Sequence, residues 1–410
     1  MKILYNCTLF DGHHEQLTED AWIFIEGERI RELGSGRLPV SDATAIDLGG
    51  RFVMPGLIDL HFHAYSITMD MRVLDSMCES LKVAHAGGLL RAALHRGYTS
   101  VRDPAGGDIG LQLAVDQGLF PGPRYFHGGK ALSQTGGHGD MRRAEQVESP
   151  CGCAANSTFA EIVDGVDAVR KFCRNELRKG ADHIKVFISG GVASPTDPLW
   201  MPQYTDAELE AAVYEAATRR KYVVAHCHTD DGAQRCLRTG IRSIDHCTII
   251  SEATAHDIAA ADGQTYAVPT LAVLEQLIAH GRGLGVSADS MAKAREAHAA
   301  AYHSLEYLQR AGARMGMGTD LFGADFHAMQ NREFEYRADI VPAIDLLRSA
   351  TSVNAEIMQK KGVIGSLVAG AYADILVIDG NPLDDIRIMG CSEKYYVAVI
   401  KGGEFVRSGL

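Results

Sequence analysis

The sequence predicts an α/β protein: a (β/α)8 TIM barrel with a small β-sandwich domain that is formed from both chain termini. Three observations predict this fold. Eight strand-like segments alternate with helical segments through the middle of the chain. Short strand-like stretches separated by turn residues fill both ends. The chain has 410 residues, of which 46% are hydrophobic, so it can bury a large core and is long for a single domain.

The two ends of the chain share a β-rich pattern. The N-terminal end contains the stretches KILYNCTLF, AWIFIEGERI, IRELG and TAIDLGGRFV, which have no helical period. The pattern returns in ADILVIDG and YYVAVIKGGEFVR near the C-terminal end. We therefore expect residues 1–55 and 363–410 to form one β-sandwich domain, and residues 56–362 to form the barrel. Two separate caps, one from each end, are the alternative.

The middle of the chain supplies the strands and helices of the predicted barrel. The predicted strands lie at 56–63, 99–103, 124–132, 183–189, 222–228, 243–249, 266–271 and 314–321. The predicted helices lie at 74–95, 158–179, 205–220, 230–239, 251–262 and 288–310. Thr205 and Glu208 form a capping-box pattern at the start of one helix. An open doubly wound sheet is the alternative, but no G-x-G-x-x-G pattern opens a helix after the first strand.

Charge and hydropathy argue against two kinds of partner. The formal net charge is −12 and no basic run is present, so we expect no nucleic-acid partner. No run of eighteen apolar residues occurs, so we expect no membrane span and no membrane partner. The apolar stretch at the N-terminal end is too short for a signal peptide.

Cysteine usage predicts a reduced, cytoplasmic protein. The nine cysteines are an odd number spread through a long chain, which does not suit a disulfide framework. Cys151 and Cys153 could suggest a metal knuckle. No second close pair partners them, so we interpret this segment as a plain loop within the long insertion at 133–156.

The stretch VMPGLIDLHFHAYS ends a hydrophobic run in two histidines, His61 and His63. Side chains two residues apart on a strand point to the same face, so the two imidazoles would project together from the end of a buried strand. Two neutral imidazoles side by side form half of a metal site. Because two histidines can also simply cap a strand, the motif alone does not decide.

Further polar residues recur at the predicted C-terminal ends of strands, where barrels of this kind carry their chemistry. They are Lys185, His226, His246 and Asp320, with His228 two residues after His226. A single buried histidine is usually a satisfied core residue. Several such groups that reach strand ends independently are hard to explain in that way.

Lys185 is the unusual member because it lies amid the apolar residues of HIKVFIS. An unpaired ammonium group inside a barrel carries a large desolvation cost. The lysine could lose its proton, pair with an acid, or react with CO₂ to give a carboxylate that bridges two metals. A salt-bridged or snorkelling lysine is the alternative, and spacing does not separate these cases.

This arrangement resembles the amidohydrolase superfamily: H-x-H on strand one, lysine on strand four, histidines on strands five and six, and aspartate on strand eight. The lead-in MPGLIDLHFH and the tail GSLVAGAYADILVIDGNPL also resemble it, so the resemblance covers essentially the whole chain. The loops ALSQTGGHGD and KVFISGGVASPTDP are similar to those of the prolidase-like branch, the Xaa-Pro dipeptidase or Xaa-Arg carboxypeptidase type.

The resemblance implies a centre of two Zn²⁺ ions per chain. His61, His63 and Asp320 would hold one ion, and His226 and His246 would hold the second. Lys185, carboxylated to N6-carboxylysine, and a hydroxide would bridge them, and the hydroxide would attack the amide.

The resemblance also implies roles around the metals. Asp320 would take the hydroxide's proton and pass it to the leaving amine. His138, in the loop GGHGD, would steady the carbonyl oxygen, although its local sequence fits a solvated loop residue equally well. Close relatives often carry a tyrosine two residues after the strand-five ligand, to meet the substrate carboxylate. This chain has His228 there, a shorter and pH-sensitive donor. Tyr65 would lie near the pocket mouth and contact substrate.

The predicted function is hydrolysis of the amide bond to a C-terminal amino acid, in an Xaa-Pro-type dipeptide or an N-acyl amino acid. Hydrolysis of another linear or cyclic amide or carbamate is the alternative. A deaminase would not need Lys185, and a non-catalytic scaffold should have lost ligands. The expected partners are a small-molecule or dipeptide substrate and further copies of the chain in a homo-oligomer.

Overall fold

The computed structural model describes residues 1–39, 42–145 and 157–410. The interpretation of Cys151 and Cys153 lies outside these described residues. The cysteines within them are free thiols, as predicted for a chain without a disulfide framework. Within the same ranges, no helix combines the length and the apolar character needed to cross a bilayer.

Strands and α-helices follow one another along the described residues. The strands are β1 (Lys2–Leu9), β2 (Thr18–Glu26), β3 (Arg29–Ser35), β4 (Thr44–Pro55), β5 (Leu57–Asp59), β6 (Tyr98–Asp103), β7 (Arg124–His127), β8 (Ala131–Ser133), β9 (Ala160–Ile162), β10 (His183–Phe187), β11 (Tyr222–Thr229), β12 (Ser243–Ile249), β13 (Tyr266–Val268), β14 (Ile375–Ile378), β15 (Tyr396–Lys401) and β16 (Glu404–Ser408). The α-helices are α1 (Met71–Ser76), α2 (Glu79–His95), α3 (Ile109–Asp116), α4 (Val166–Arg178), α5 (Asp206–Thr218), α6 (Asp230–Thr239), α7 (Glu252–Ala260), α8 (Leu271–His280), α9 (Ala288–Arg310), α10 (Ala324–His327), α11 (Glu333–Arg337), α12 (Ala343–Ser349), α13 (Ser352–Ile357) and α14 (Ser392–Tyr395).

The two ends of the chain build one seven-stranded sheet, in the order β16-β15-β14-β4-β1-β2-β3. The sheet has its own buried cluster, which includes Leu4, Ile23, Val53, Val377 and Ile400. This agrees with the prediction of a β domain made from both ends. The seven strands are hydrogen-bonded as one continuous sheet, because β4 pairs with β1 on one side and with β14 on the other. The packing of this sheet as a sandwich stays a prediction.

The middle of the chain forms two parallel sheets with helices between their strands. One has the order β13-β12-β11-β10-β8-β9, and the other has the order β5-β6-β7. Their strands read as nearly continuous buried runs, as expected when helices cover the outer face of a parallel sheet. The predicted helices 230–239 and 288–310 are confirmed as α6 and α9. The capping box of Thr205 and Glu208 is also confirmed.

Several predicted elements differ from the structure. The predicted helix 158–179 contains strand β9 before α4, and the predicted strand 266–271 ends at Val268. The predicted strand 124–132 is two strands, β7 and β8, interrupted at Gly128 and Gly129. The predicted strand 314–321 is not regular, because the Asn354 side chain takes up backbone groups that a ladder would use. Its amide accepts from Met317 N–H and donates to the carbonyls of Ile58 and Met317.

The irregular segment 314–320 nevertheless lies between two strands. Gly316 N–H donates to the Ala267 carbonyl of β13, at 2.9 Å. On the other side, Leu60 N–H donates to Met317, and Asp320 N–H donates to the His61 carbonyl at 2.7 Å. The residues that follow β5 and the end of this segment are therefore held side by side.

Candidate active site

His61, His63 and Asp320 meet at the carboxyl end of β5. The Nε2 atoms of both histidines lie 3.3 Å from the same oxygen, Oδ1 of Asp320. One ligand atom from each residue lies within 4.8 Å of the others, and both histidines are buried. Two imidazole nitrogens and one carboxylate oxygen suit a divalent metal such as zinc. The geometry therefore fits one metal ion at this point.

The Asp59 side chain holds together the two segments that carry His61 and Asp320. Its Oδ1 accepts from the backbone N–H groups of His61 and Thr319, at 3.0 and 3.1 Å. Its Oδ2 accepts from the Thr319 hydroxyl and from Gln330. Asp59 is fully buried, and burial raises its pKa to about 6. One carboxylate thus ties the end of β5 to the residue before Asp320. The sequence analysis missed it, although an acid inside the apolar run GLIDL was the available signal.

A hydrogen bond at Nδ1 orients the His63 ring. Its Nδ1–H donates to the Ala105 carbonyl at 2.9 Å, so the lone pair of the neutral ring is on Nε2, facing Asp320. Burial alone would lower the pKa of His63, but Asp103 and Asp320 raise it to about 9. A metal ion binding at Nε2 would therefore displace a proton at neutral pH.

His226 and His246 extend the cluster. Their ring centroids are 4.5 Å apart, and the His246 ring lies 4.9 Å from the His61 ring. His246 Nδ1 is hydrogen-bonded to the Thr270 hydroxyl at 2.8 Å, which leaves Nε2 for a ligand. Burial lowers the pKa of His61 to about 4 and holds the pKa values of His226 and His246 well below normal. These three rings are neutral at pH 7, as metal ligands must be.

Lys185 lies in the same buried region and contacts an acid that the sequence analysis did not single out. Its Nζ is 3.4 Å from Oδ2 of Asp245. Burial lowers the pKa of Lys185, and Asp245 opposes that shift. Asp245 Oδ2 also lies 2.8 Å from Nδ1 of His61. One carboxylate therefore contacts both the lysine and the first histidine of the H-x-H motif.

Arg102 balances the charge of Asp245. It is fully buried and donates through Nη2 to both carboxylate oxygens, at 2.9 and 3.0 Å. Burial alone would raise the pKa of Asp245, but Arg102 and Lys185 hold it well below normal. Sequence reasoning missed this pair, since a buried arginine in TSVRD and a buried acid in SIDHC signal a pair only when their proximity is known.

Two of the clustered residues have a strained backbone. His246 has φ of 78° and Asp320 has φ of 55°, values in the left-handed region that non-glycine residues rarely adopt. Each such residue costs roughly 1–3 kcal/mol and is retained where the surrounding structure enforces it, often at functional sites.

His138 and His228 join the same cluster of rings. His138 stacks on His226 with centroids 4.3 Å apart and planes 20° apart. His228 stacks on His246 at 5.0 Å, and its Nδ1 is hydrogen-bonded to the Thr248 hydroxyl. Burial lowers the pKa of His228 to about 3, so its ring is neutral. The structure thus places His138 among the site residues, where local sequence also fitted a solvated loop.

Tyr65 is only 5% exposed and packs in the main core, with its hydroxyl 3.4 Å from Oδ2 of Asp108. Its contact with substrate stays a prediction. Two half-buried phenylalanines lie beside His63. The ring centroids of Phe159 and Phe322 lie 5.3 and 5.2 Å from the His63 ring, and 6.0 Å from each other.

The sequence from residue 52 to residue 405 matches the Amidohydrolase family. The chain belongs to the amidohydrolase family. The ochratoxinase of Aspergillus niger is 29% identical over 374 residues, which cover 87% of this chain and 75% of that protein. The predicted superfamily membership is confirmed.

Solved structures place this amidohydrolase in the prolidase-like branch. A prolidase complexed with N-methylphosphonate-L-proline is 40% identical, with a TM-score of 0.95 and coverage of 99% of both chains. An Xaa-Pro dipeptidase with methionine bound in its active site is 25% identical, with a TM-score of 0.86 and coverage of 98% of this chain and 99% of that one. Together with the ochratoxinase, these neighbours show a hydrolase that acts on amide bonds.

Proposed function

We propose that this amidohydrolase is a binuclear zinc enzyme that cleaves the amide bond to a C-terminal amino acid. Xaa-Pro-type dipeptides are the first substrate class, and N-acyl amino acids are the second. The observation that carries the proposal is the meeting of His61, His63 and Asp320, with both Nε2 atoms 3.3 Å from one carboxylate oxygen. The 40% identical prolidase, whose structure holds a phosphonate derivative of proline, supports the choice of substrate class.

The proposal includes a closed (β/α)8 barrel for the two parallel sheets and segment 314–320. Hydrogen bonds support closure at both gaps. Asp182 N–H, next to β10, donates to the His127 carbonyl of β7, and segment 314–320 bonds to β13 and to Leu60 after β5. Closure would bring all the site residues to the carboxyl ends of the strands. The domain boundaries at residues 55 and 362 stay part of this proposal.

In this proposal the residues would hold two metal ions in the following way. His61, His63 and Asp320 would hold one ion, as their clustering supports. His226 and His246 would hold the second, since both rings are buried and neutral. Two bound cations would lower the pKa of a water molecule towards neutrality and polarise the carbonyl group of the amide.

Lys185 would join the two ions after carboxylation. As a free amine it contacts Asp245 at 3.4 Å. Carboxylation would replace that attraction with repulsion between two anions, so the modified side chain needs the cations to balance its charge. Carboxylation and metal loading are therefore coupled in this proposal.

Asp320, His138 and His228 would act on the substrate. Burial alone would raise the pKa of Asp320, but the histidines that face it hold it below normal, so it is ionised and able to accept a proton. Asp320 would then pass that proton to the leaving amine. His138 Nε2 would meet the carbonyl oxygen, and His228 would meet the carboxylate of the leaving amino acid. Phe159 and Phe322 would form an apolar wall beside His63.

The test compares one acyl group offered as the free acid and as the C-terminal amide. Loss of the carboxylate should lower kcat/KM at least tenfold, or about 1.4 kcal/mol of transition-state binding. His228→Ala should shrink that difference, because it removes the proposed carboxylate donor. Cleavage of the amide as fast as the acid, or reaction with cyclic amides alone, would exclude the proposed substrate class.

A further inference from the structure

The loop between β10 and α5, residues 190–203, packs directly on the His138 ring. A Cβ atom on Gly191 would lie 2.1 Å from Cε1 of His138, so the ring rests on bare backbone. The opposite face of the ring stacks on His226 at 4.3 Å. Phe187 contacts it edge-on, at 5.0 Å and 89°. These three contacts fix the plane of the ring.

Side chains of the same loop contact Nδ1 of the His138 ring. Nδ1 of His138 lies 2.7 Å from the Ser194 hydroxyl and 3.5 Å from Oδ2 of Asp197. Asp197 is buried, and its Oδ2 also accepts from Gly191 N–H at 3.0 Å and from Gln203 at 3.3 Å. Because Nδ1 is taken, Nε2 is the nitrogen left for a ligand.

The backbone of His138 is held by the loop as well. His138 N–H donates to Oε1 of Gln203 at 3.0 Å, and Tyr204 N–H donates to the side chain of Gln134. The loop that carries His138 is therefore hydrogen-bonded in both directions to Gln203 and Tyr204, at the end of the loop 190–203. Movement of one requires movement of the other.

A lysine on helix α9, about a hundred residues later in the chain, is hydrogen-bonded to the loop 190–203. Lys293 is buried, and its Nζ donates to the carbonyls of Ser194 and Asp197, at 2.7 and 3.2 Å. These are the two residues whose side chains approach Nδ1 of His138. The same Nζ also lies 3.6 Å from Oδ2 of the exposed Asp289, one turn earlier on α9, so its charge is paired while its hydrogen bonds hold the loop.

We infer that Ser194, Asp197 and Lys293 are positioning residues that aim Nε2 of His138 at the carbonyl oxygen of the substrate. Ser194 and Asp197 act on the ring, and Lys293 acts through the loop. The inference rests on the proposed function, in which His138 meets that oxygen. Since negative charge grows on the oxygen in the transition state, misaiming the donor should lower kcat more than it raises KM.

The kinetic test uses Lys293→Met, with Arg295→Met on the exposed face of the same helix as the matched control. Lys293→Met should lower kcat roughly 5- to 20-fold with KM within threefold, and the control should be unchanged. In a His138→Asn background, the same substitution should cost less than twofold, because its target is gone. An equal loss in both backgrounds would show that Lys293 does not act through His138. Ser194→Ala should give the same pattern and covers the case in which Lys293→Met does not fold.

A crystal structure of Lys293→Met supplies a measure that does not need activity. The His138 ring should turn or lose its contact with Ser194, whereas it should stay in place in Arg295→Met. An unmoved ring in Lys293→Met would overturn the inference even if the enzyme cleaves dipeptides. If no tested amide is cleaved but the ring moves, the proposed function fails and the positioning role of Lys293 stands.

Discussion

At the scale of single residues, buried acids hold the clustered histidines in place. Asp59 bonds the backbone of His61, and Asp245 lies against the Nδ1 atom of the same ring. Asp103 lies 3.5 Å from Nδ1 of His63. A buried carboxylate is costly unless it is paired or hydrogen-bonded, so each acid is stable only while its partners stay in place. The acids thus resist rotation of the rings before any metal binds.

Asp320→Asn should retain much of the metal binding, because the amide oxygen can replace one carboxylate oxygen. It should lower kcat by roughly 10²–10⁴-fold, since an amide cannot carry the proton to the leaving amine. Steady-state kinetics and elemental analysis of the same preparation measure both effects. Asp325→Asn, an exposed acid nearby in the chain, is the control. Near-normal turnover in Asp320→Asn would exclude the proton-transfer role.

Lys185→Ala should lower the metal content from about two ions to about one per chain, because the proposed bridging ligand is lost. Activity should fall with the second ion, and short carboxylic acids should restore part of it. Elemental analysis after loading with zinc and bicarbonate provides the measurement. Lys171→Ala, at an exposed lysine of α4, should keep the full content. A variant at position 185 that still binds two ions would contradict the bridge.

At the scale of elements, the buried pair of Arg102 and Asp245 joins strands that are far apart in the chain. Arg102 lies on β6 and Asp245 on β12, and Nε of Arg102 also donates to the Leu60 carbonyl after β5 at 2.6 Å. One side chain therefore links three strands inside the parallel sheets. Its fourth partner atom, the Ser243 hydroxyl at 3.1 Å, adds to the link.

Arg102→Met should destabilise the protein by roughly 3–5 kcal/mol, because it removes the guanidinium that bonds both oxygens of the buried Asp245 and leaves only the longer contact with Lys185. Chemical denaturation measures the loss. Arg310→Met is the control, since Arg310 and its partner Glu252 are more than half exposed and such a pair contributes about 0–1 kcal/mol. Replacing Asp245 by Asn as well should recover part of the loss. An effect of Arg102→Met no larger than that of the control would show that the pair adds no stability.

Sequence predicted the elements whose ends are set by local chemistry. α9 begins after Ser287 and α6 after Thr229, and each side chain accepts from a backbone N–H of its helix. The irregular backbone of segment 314–320 could not be predicted. The side chain of Asn354, distant in the chain, makes hydrogen bonds to Met317 that a neighbouring strand would otherwise make. The clustering of His61, His63 and Asp320 could be predicted because each lies at or near the end of a predicted strand. Arg102 and Asp245 were missed because only folding brings them together.

At the scale of the whole molecule, the terminal sheet and the parallel sheets are joined by a short connection and pack closely against each other. Only Gly56 separates β4 from β5, and a Cβ atom there would lie 2.2 Å from the Thr99 hydroxyl. Arg124 of β7 donates to both oxygens of Asp374, next to β14, at 2.9 and 3.2 Å. Apolar residues of β4, β14 and β15 belong to the same buried cluster as the residues of the parallel sheets.

This shared boundary predicts that the two parts unfold as one cooperative unit. The chain has two tryptophans: Trp22 is buried in the terminal sheet, and Trp200 is 72% exposed in the loop 190–203. In a Trp200→Phe variant, fluorescence would report Trp22 and hence the terminal sheet, whereas circular dichroism at 222 nm would report mainly the helices. The two unfolding curves in urea should coincide, because breaking the shared core exposes both parts together. Asp374→Ala should shift both curves to lower urea by the same amount, since it leaves Arg124 without its carboxylate. A Trp22 transition that separates from the helical transition would show that the terminal sheet is a stability unit of its own.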